Sequence, residues 1–512
     1  MSEEWWKGAV FYQIYPRSFM DTNNDGVGDL KGITDKLDYV ASLGVDGIWI
    51  SPFFKSPMKD FGYDVSDYRD VDPLFGTLDD FDALLNKAHS LDLKIIIDLV
   101  LSHTSDQHPW FQDKSKKDWY VWADAKPDMF GELCPPNNWA SVFGGSAWEW
   151  SEERQQYYLH NFLKEQPDLN YHNPEVQNEV LDICKFWLER GVDGFRLDVI
   201  NFLFHDQELR DNPPRDPELG PATQLEKEDD PYNTQAHIYD KSRPENLEFL
   251  RRLRKLMNAY PGTMTLGEVG DDHPYERAAE YTANNQFLNT AYNTHMMTGI
   301  SKTLTADLIR QPVEAFLKQP GNSWPSWAFS NHDVVRAPSR WNANAKMLIA
   351  LLCCLRGTAF LYQGEELGLL EAEIPFEKLQ DPWGKHHWPD WPGRDGCRTP
   401  MPWDRDNYAG LTNTEPWLPI PDEHKKLSVT NQEVDENSVL SFTRKFLSWR
   451  KSQPDLIQGD INFIDTGDND VLAFKRGATV CVFNLGNKEK TFSFDGKDIT
   501  LSAYEYSLDG AD

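Results

Sequence analysis

Three acidic residues far apart in the chain, Asp198, Glu268 and Asp333, each close a short run of strand-like residues: GFRLD, TLGE and FSNHD. Two carboxylates brought together can cut a glycosidic bond when their surroundings divide the work. One stays ionised as a nucleophile and the other keeps a proton as general acid, about 5 to 5.5 Å apart in retaining enzymes. The first run also carries Arg196, two residues before Asp198. Side chains alternate along a strand, so Arg196 and Asp198 face one way and Phe195, Leu197 and Val199 the other. Unpaired buried charge is costly, so Arg196 is expected to hold Asp198 ionised. His103 and His332 join this set. Asp64, Asp98 and Glu365 lie at similar levels, so not every acid at a strand end can be catalytic.

Side chains so distant need a repeating scaffold to gather them. Eight strand-like runs, beginning at 11, 47, 94, 194, 265, 286, 326 and 358, alternate with helical stretches. That alternation predicts an α/β fold, a (β/α)8 TIM barrel with reactive groups at the C-terminal strand ends. One helix is explicit: Asn173 caps it, Pro174 takes its first turn, and Val176, Val180, Ile183 and Trp187 recur at helical spacing before Gly191. The phrase GVDG occurs at 44 and again at 191, a repeated helix-turn-strand unit with glycine at the left-handed helix end. A long gap after the third strand, rich in Pro, Gly and Trp, predicts an inserted subdomain over residues 104–171. From about 458 the runs become short and alternating, as in an antiparallel β domain. The expected division is therefore a barrel from 1–103 and 172–457, the insertion, and a C-terminal β-sandwich over 458–512.

The chain of 512 residues carries 51 Lys and Arg against 82 Asp and Glu, a net charge of -31. That field repels phosphate backbones and excludes nucleic acid as a partner. Nineteen tryptophans suit a surface that stacks on ring-shaped ligands. The six cysteines show no paired spacing, and the start MSEEWWKGAV lacks the basic and apolar regions of a signal peptide. No apolar run is long enough to span a bilayer. A cytoplasmic protein without membrane contact is expected, as a monomer or small homo-oligomer.

The motifs GYDVSDY at 62, DLVLSHTSD at 98, QPDLN at 166, GFRLDVI at 194, GEVG at 267, SNHD at 330 and RTPMPWD at 398 together resemble glycoside hydrolase family 13, the α-amylase family. Within it the chain is similar to the α-glucosidase and oligo-1,6-glucosidase group. The resemblance implies that Asp198 is the nucleophile, Glu268 the general acid and base, and Asp333 the acid that stabilises the oxocarbenium-like transition state. It places Tyr63, His103, Arg196 and His332 around the same glucose, with Asp64 and Arg398 clamping its non-reducing end. Phe143 and Phe162 match positions of aromatics near that glucose, with core packing as their alternative. QPDLN resembles the variant of oligo-1,6-glucosidases and exo-acting α-glucosidases, and Val199 resembles enzymes that accept α-1,6 links, whereas many α-1,4-specific relatives carry Thr after the nucleophile. The implied activity is an exo-acting retaining α-glucosidase on short α-glucosides such as maltose and isomaltose. A transglucosidase or sucrose isomerase would use the same site. Non-catalytic binding relatives have a membrane anchor and broken acids, and this chain shows neither.

The loop DTNNDGVGD from 21 alternates oxygen-bearing side chains as a calcium loop does, although an EF-hand would end in Glu where Gly32 stands. By resemblance, Asp21, Asn23, Asp25, the Val27 carbonyl and Asp29 hold a structural Ca2+ or Mg2+; no organic cofactor is implied. Ser102 stands where α-amylases carry a calcium-binding Asn, which argues against a second metal there.

Overall fold

In the computed structural model, the described residues are 4–219, 230–293, 296–297, 303–494 and 496–508. Eight parallel strands form one sheet: β1 (Val10–Ile14), β2 (Gly47–Ile50), β3 (Lys94–Val100), β4 (Gly194–Asp198), β5 (Met264–Val269), β6 (Thr290–Asn293), β7 (Ser326–Ala328) and β8 (Thr358–Tyr362). Their order is β6-β5-β4-β3-β2-β1-β8-β7. Every residue of β1, β4, β5 and β8 is buried, as expected for strands covered on both faces. All eight expected strands are present in a (β/α)8 barrel.

The chain divides into two compact units, one of Met1–Ser51, Leu74–Ile96 and His295–Asp512, the other of Pro52–Pro73 and Ile97–Thr294. The division passes through β3, so the first unit holds β1, β2, β7 and β8 and the second holds β4, β5 and β6.

In the first unit, helix α1 (Leu30–Ser42) is capped by Asp29, whose carboxylate accepts the Gly32 amide. Helix α2 (Leu78–Ser90) begins with a reciprocal capping box between Thr77 and Asp80. The strands Ile461–Ile464, Val471–Arg476, Thr479–Asn484 and Tyr506–Leu508 form an antiparallel sheet, and Lys490–Phe494 pairs with Lys497–Leu501. Val471, Ala473, Val480, Val482 and Leu501 make its core.

In the second unit, helix α3 (Pro174–Arg190) has the Asn173 cap, the first-turn proline and the left-handed Gly191 at φ 104° that its sequence predicts. Trp187 packs on Phe53 and Phe54. Gly194 opens β4 at φ +152°, where an added Cβ would lie 2.0 Å from the Met264 carbonyl oxygen. The inserted segment contributes an antiparallel sheet of Trp122–Ala123, Gln156–Leu159 and Trp148–Ser151 around a core that includes Trp139 and Trp148.

Two expectations need correction. The run GFRLDVI is a strand only to Asp198; Val199 leaves it with φ 35° and ψ 49°, and Ile200–Phe202 form a 3-10 turn. Asp333 does not close its strand, because β7 stops at Ala328 and Asp333 sits in the loop beyond.

Candidate active site

The register of the second unit aligns its reactive side chains. Leu197 pairs with Gly267 and Glu268 with Tyr292, so Asp198, Glu268 and Tyr292 follow one another across β4, β5 and β6. Arg196 organises them from the buried interior. Its Nη1 donates to Asp198 Oδ1 at 2.5 Å and to Asp98 Oδ1 at 2.8 Å. Its Nη2 donates to Glu268 Oε2 at 2.6 Å. The Tyr292 hydroxyl oxygen accepts from Nε and Nη2 at 3.2 and 2.9 Å. Every guanidinium N–H is thereby engaged, which answers how a core strand tolerates the charge.

The carboxylate oxygens have distinct partners. Glu268 Oε2 also accepts the Val199 backbone N–H at 3.2 Å. Arg196 holds Asp198 by Oδ1. Asp98, fully buried on β3, takes the Tyr63 hydroxyl on Oδ2 at 3.1 Å, and burial lifts its pKa to about 6 against the pull of Arg196.

Around this centre, His103 is buried among Tyr63, Ser102 and Gln166. Its Nε2 lies 3.1 Å from the Tyr63 carbonyl, which can only accept, and Nδ1 lies 2.9 Å from Ser102 Oγ. Burial lowers its pKa to about 4, so it stays uncharged at neutral pH. The ring of Phe162 stands 5.3 Å from His103, 5.8 Å from Phe143 and 5.4 Å from Phe202, a continuous aromatic wall. Asp64 is fully buried and accepts from Ser56 Oγ, Asp60 N and Lys59 N, each at 2.9 Å. Burial still raises it to about 6.

In the first unit, Gln13 Nε2 donates to His332 Nδ1 at 2.8 Å, which leaves Nε2 to face Asp333 Oδ2 at 3.1 Å. Asp333 Oδ1 accepts from Arg398 Nη2 at 2.8 Å and Arg394 Nη1 at 3.3 Å. Arg398 Nε also donates to the His332 carbonyl at 2.6 Å, and the Tyr15 ring stacks on His332 at 5.4 Å. Arg394 is itself held by Asp381 through two nitrogens.

The side chains gathered on Arg196 include two that sequence reading gave no role, Asp98 and Tyr292; beside Asp333 it likewise missed Arg394. Asp98 reads as one acid among several, Tyr292 as strand filling and Arg394 as loop charge. Only cross-strand register could have exposed the first two. Among the described residues no three His, Cys, Asp or Glu side chains converge as a metal cluster. In the loop from 21, Asp21 accepts the Asn23, Asn24 and Gly26 amides, while Asn23 and Asp25 accept the Asp25 and Val27 amides. These turns keep oxygen-bearing side chains at every second residue.

Residues 13–459 match the model of the alpha amylase catalytic domain. A probable alpha-glucosidase of Rhizobium meliloti (strain 1021) is 53% identical over 95% of this chain and 90% of its own length. The oligo-1,6-glucosidase of Parageobacillus thermoglucosidasius is 36% identical over 99% and 96%. Among solved structures, an alpha-glucosyl transfer enzyme superposes with a TM-score of 0.93 at 50% identity, covering 98% of this chain and 99% of that one. The trehalulose synthase of Pseudomonas mesoacidophila MX-45 gives 0.87 at 31% identity, covering 99% of both. With its eight-stranded parallel barrel and these matches along nearly its full length, the chain belongs to the α-amylase family of glycoside hydrolases.

Proposed function

We propose that this protein is an exo-acting retaining α-glucosidase that releases glucose from the non-reducing end of short α-glucosides. The observation that carries the reading is the sharing of one guanidinium by Asp198 and Glu268, at 2.5 and 2.6 Å. Two carboxylates on neighbouring nitrogens of one arginine stand close together, as double displacement requires.

In the first step the Asp198 carboxylate forms a bond to the anomeric carbon while the glycosidic C–O bond breaks. Glu268 delivers its proton to the departing oxygen, and Arg196 keeps Asp198 ionised. In the second, water attacks the anomeric carbon, Glu268 takes its proton, and the Asp198 ester bond breaks. Asp333, in the SNHD motif, takes the third role of stabilising the oxocarbenium-like charge. Tyr63, Asp64, His103, His332 and Arg398 bind the glucose, and Phe143 and Phe162 wall it. A sugar hydroxyl in place of water in the second step would give transglucosylation. The similarity to an alpha-glucosyl transfer enzyme favours this as a second outcome on the same site. Treating the enzyme with 5-fluoroglucosyl fluoride and mapping the labelled peptide tests the mechanism. The adduct is expected on Asp198, and an adduct elsewhere or none would end the assignment.

The donor set of the loop from 21 suits a hard cation, with oxygen atoms from Asp21, Asn23, Asp25, Val27 and Asp29. In this reading a bound Ca2+ or Mg2+ would fasten the loop that precedes α1, without a part in the chemistry. A chelator should then lower the melting temperature, and an unmoved melt would remove the metal. The antiparallel sheets within 122–159 and after Ile461 support separate assignment of residues 104–171 and 458–512. Six free cysteines support a cytoplasmic setting. Among the described residues no helix is long and apolar enough to cross a membrane.

A further inference from the structure

The two terminal nitrogens of Arg196 serve different acids. The Nη1 end carries Asp98 and Asp198, at 2.8 and 2.5 Å. The opposite edge, formed by Nε and Nη2, is the fork that ordinarily grips a carboxylate through two oxygens. Here that fork closes on one phenol oxygen, Tyr292 Oη, at 3.2 and 2.9 Å. The remaining N–H of Nη2 goes to Glu268 Oε2 at 2.6 Å.

The phenol is a neutral acceptor. It is 3% exposed, and burial raises its pKa well above the ordinary tyrosine value. A carboxylate in its place would add a further negative charge to one arginine and weaken its hold on Asp198. Tyr292 therefore fixes the plane of the guanidinium without competing for its charge. Cross-strand register brings it there, because Glu268 and Tyr292 are partners on β5 and β6.

We propose that Tyr292 is a positioning residue for the general acid: it fixes Nη2 of Arg196, the nitrogen that also holds Glu268, while Asp198 is held by Nη1, which Asp98 fixes separately. This rests on the roles given above to Asp198 and Glu268. Without the hydroxyl, Nη2 keeps Glu268 but loses the bond that fixes its direction, and the Glu268 proton loses its aim. Protonation of the leaving group should suffer more than nucleophilic attack.

Leaving-group dependence separates the two. Tyr292→Phe is compared with the parent by kcat/KM on maltose, whose leaving sugar needs the proton, and on 2,4-dinitrophenyl α-glucoside, whose leaving group departs without it. The expected result is a loss of about tenfold on maltose, the scale of one hydrogen bond to a charged group, against less than about twofold on the activated glucoside. Equal losses on both substrates, or full activity on maltose, would overturn the proposal. Glu268→Gln is measured beside it. If that variant does not spare the activated substrate, the general-acid assignment itself fails, whatever Tyr292 shows. Should Tyr292→Phe not fold, 3-fluorotyrosine at position 292 keeps the ring and weakens the acceptor. It should produce a smaller loss in the same substrate order, and a uniform loss would again overturn the proposal.

Discussion

Val199 follows the proposed nucleophile in a conformation that β-branched residues avoid, at φ 35°. Such strain costs on the order of 1–3 kcal/mol and persists only where the surroundings impose it. Here the turn directs the Val199 N–H to Glu268 Oε2, so the backbone that ends one catalytic strand supports the acid on the next. The side chain is a separate matter, since specificity through one methyl or hydroxyl is worth about 1–3 kcal/mol. Val199→Thr should shift the maltose to isomaltose ratio of kcat/KM about tenfold toward maltose. An unchanged ratio in steady-state assays would show that this position does not read the linkage.

At the scale of elements, the close approach of β4 and β5 carries the site. Gly194 leaves no room for a Cβ, with Met264 O at 2.0 Å from where it would stand, and Asn201 ties the turn after β4 to Gly270 beyond β5. Gly194→Ala should cost several kcal/mol by strain and displaced backbone, and should lower the activity of whatever folds, because β4 bears Arg196 and Asp198. Thermal melts with active-site titration would check both. The turn after β8 makes a pH-dependent contribution. Burial raises Glu365 from 4.5 to about 7, opposed by the Tyr362 amide, Ser330 and Arg336. The unfolded chain ionises first, so this contribution to stability is complete below pH 4.5 and is lost as pH rises through about 7. Glu365→Gln should therefore gain about 1–3 kcal/mol on the parent at pH 8 and nothing at pH 4 in denaturant titrations.

For the molecule as a whole, a net charge of -31 favours solubility and opposes compaction by self-repulsion. Raising NaCl from about 0.02 to 0.5 M shortens the screening length several-fold and should raise the melting temperature. A melt that falls or stays level would show that the paired charges, including those on Arg196 and Asp333, outweigh the net field. The fold tolerates wide divergence, as the superposition at 31% identity and a TM-score of 0.87 shows.

The barrel strands were legible because strands buried on both faces, as β1, β4, β5 and β8 are, must read as short apolar runs between breakers. Helix α3 was legible for a different reason: its cap, first-turn proline and terminal glycine act locally, whatever packs around them. Arg196 and Asp198 could be read as a pair, since two residues apart on a strand is a fixed direction. What only the tertiary structure decided lies across strands and in strained backbone. Register placed Tyr292 beside Glu268, buried contacts brought Asp98 to Arg196, and the surrounding fold turned Val199 against its own propensity. These depend on residues far apart in the chain, 98 positions for Asp98 and Arg196, and local sequence exerts no force over such distances.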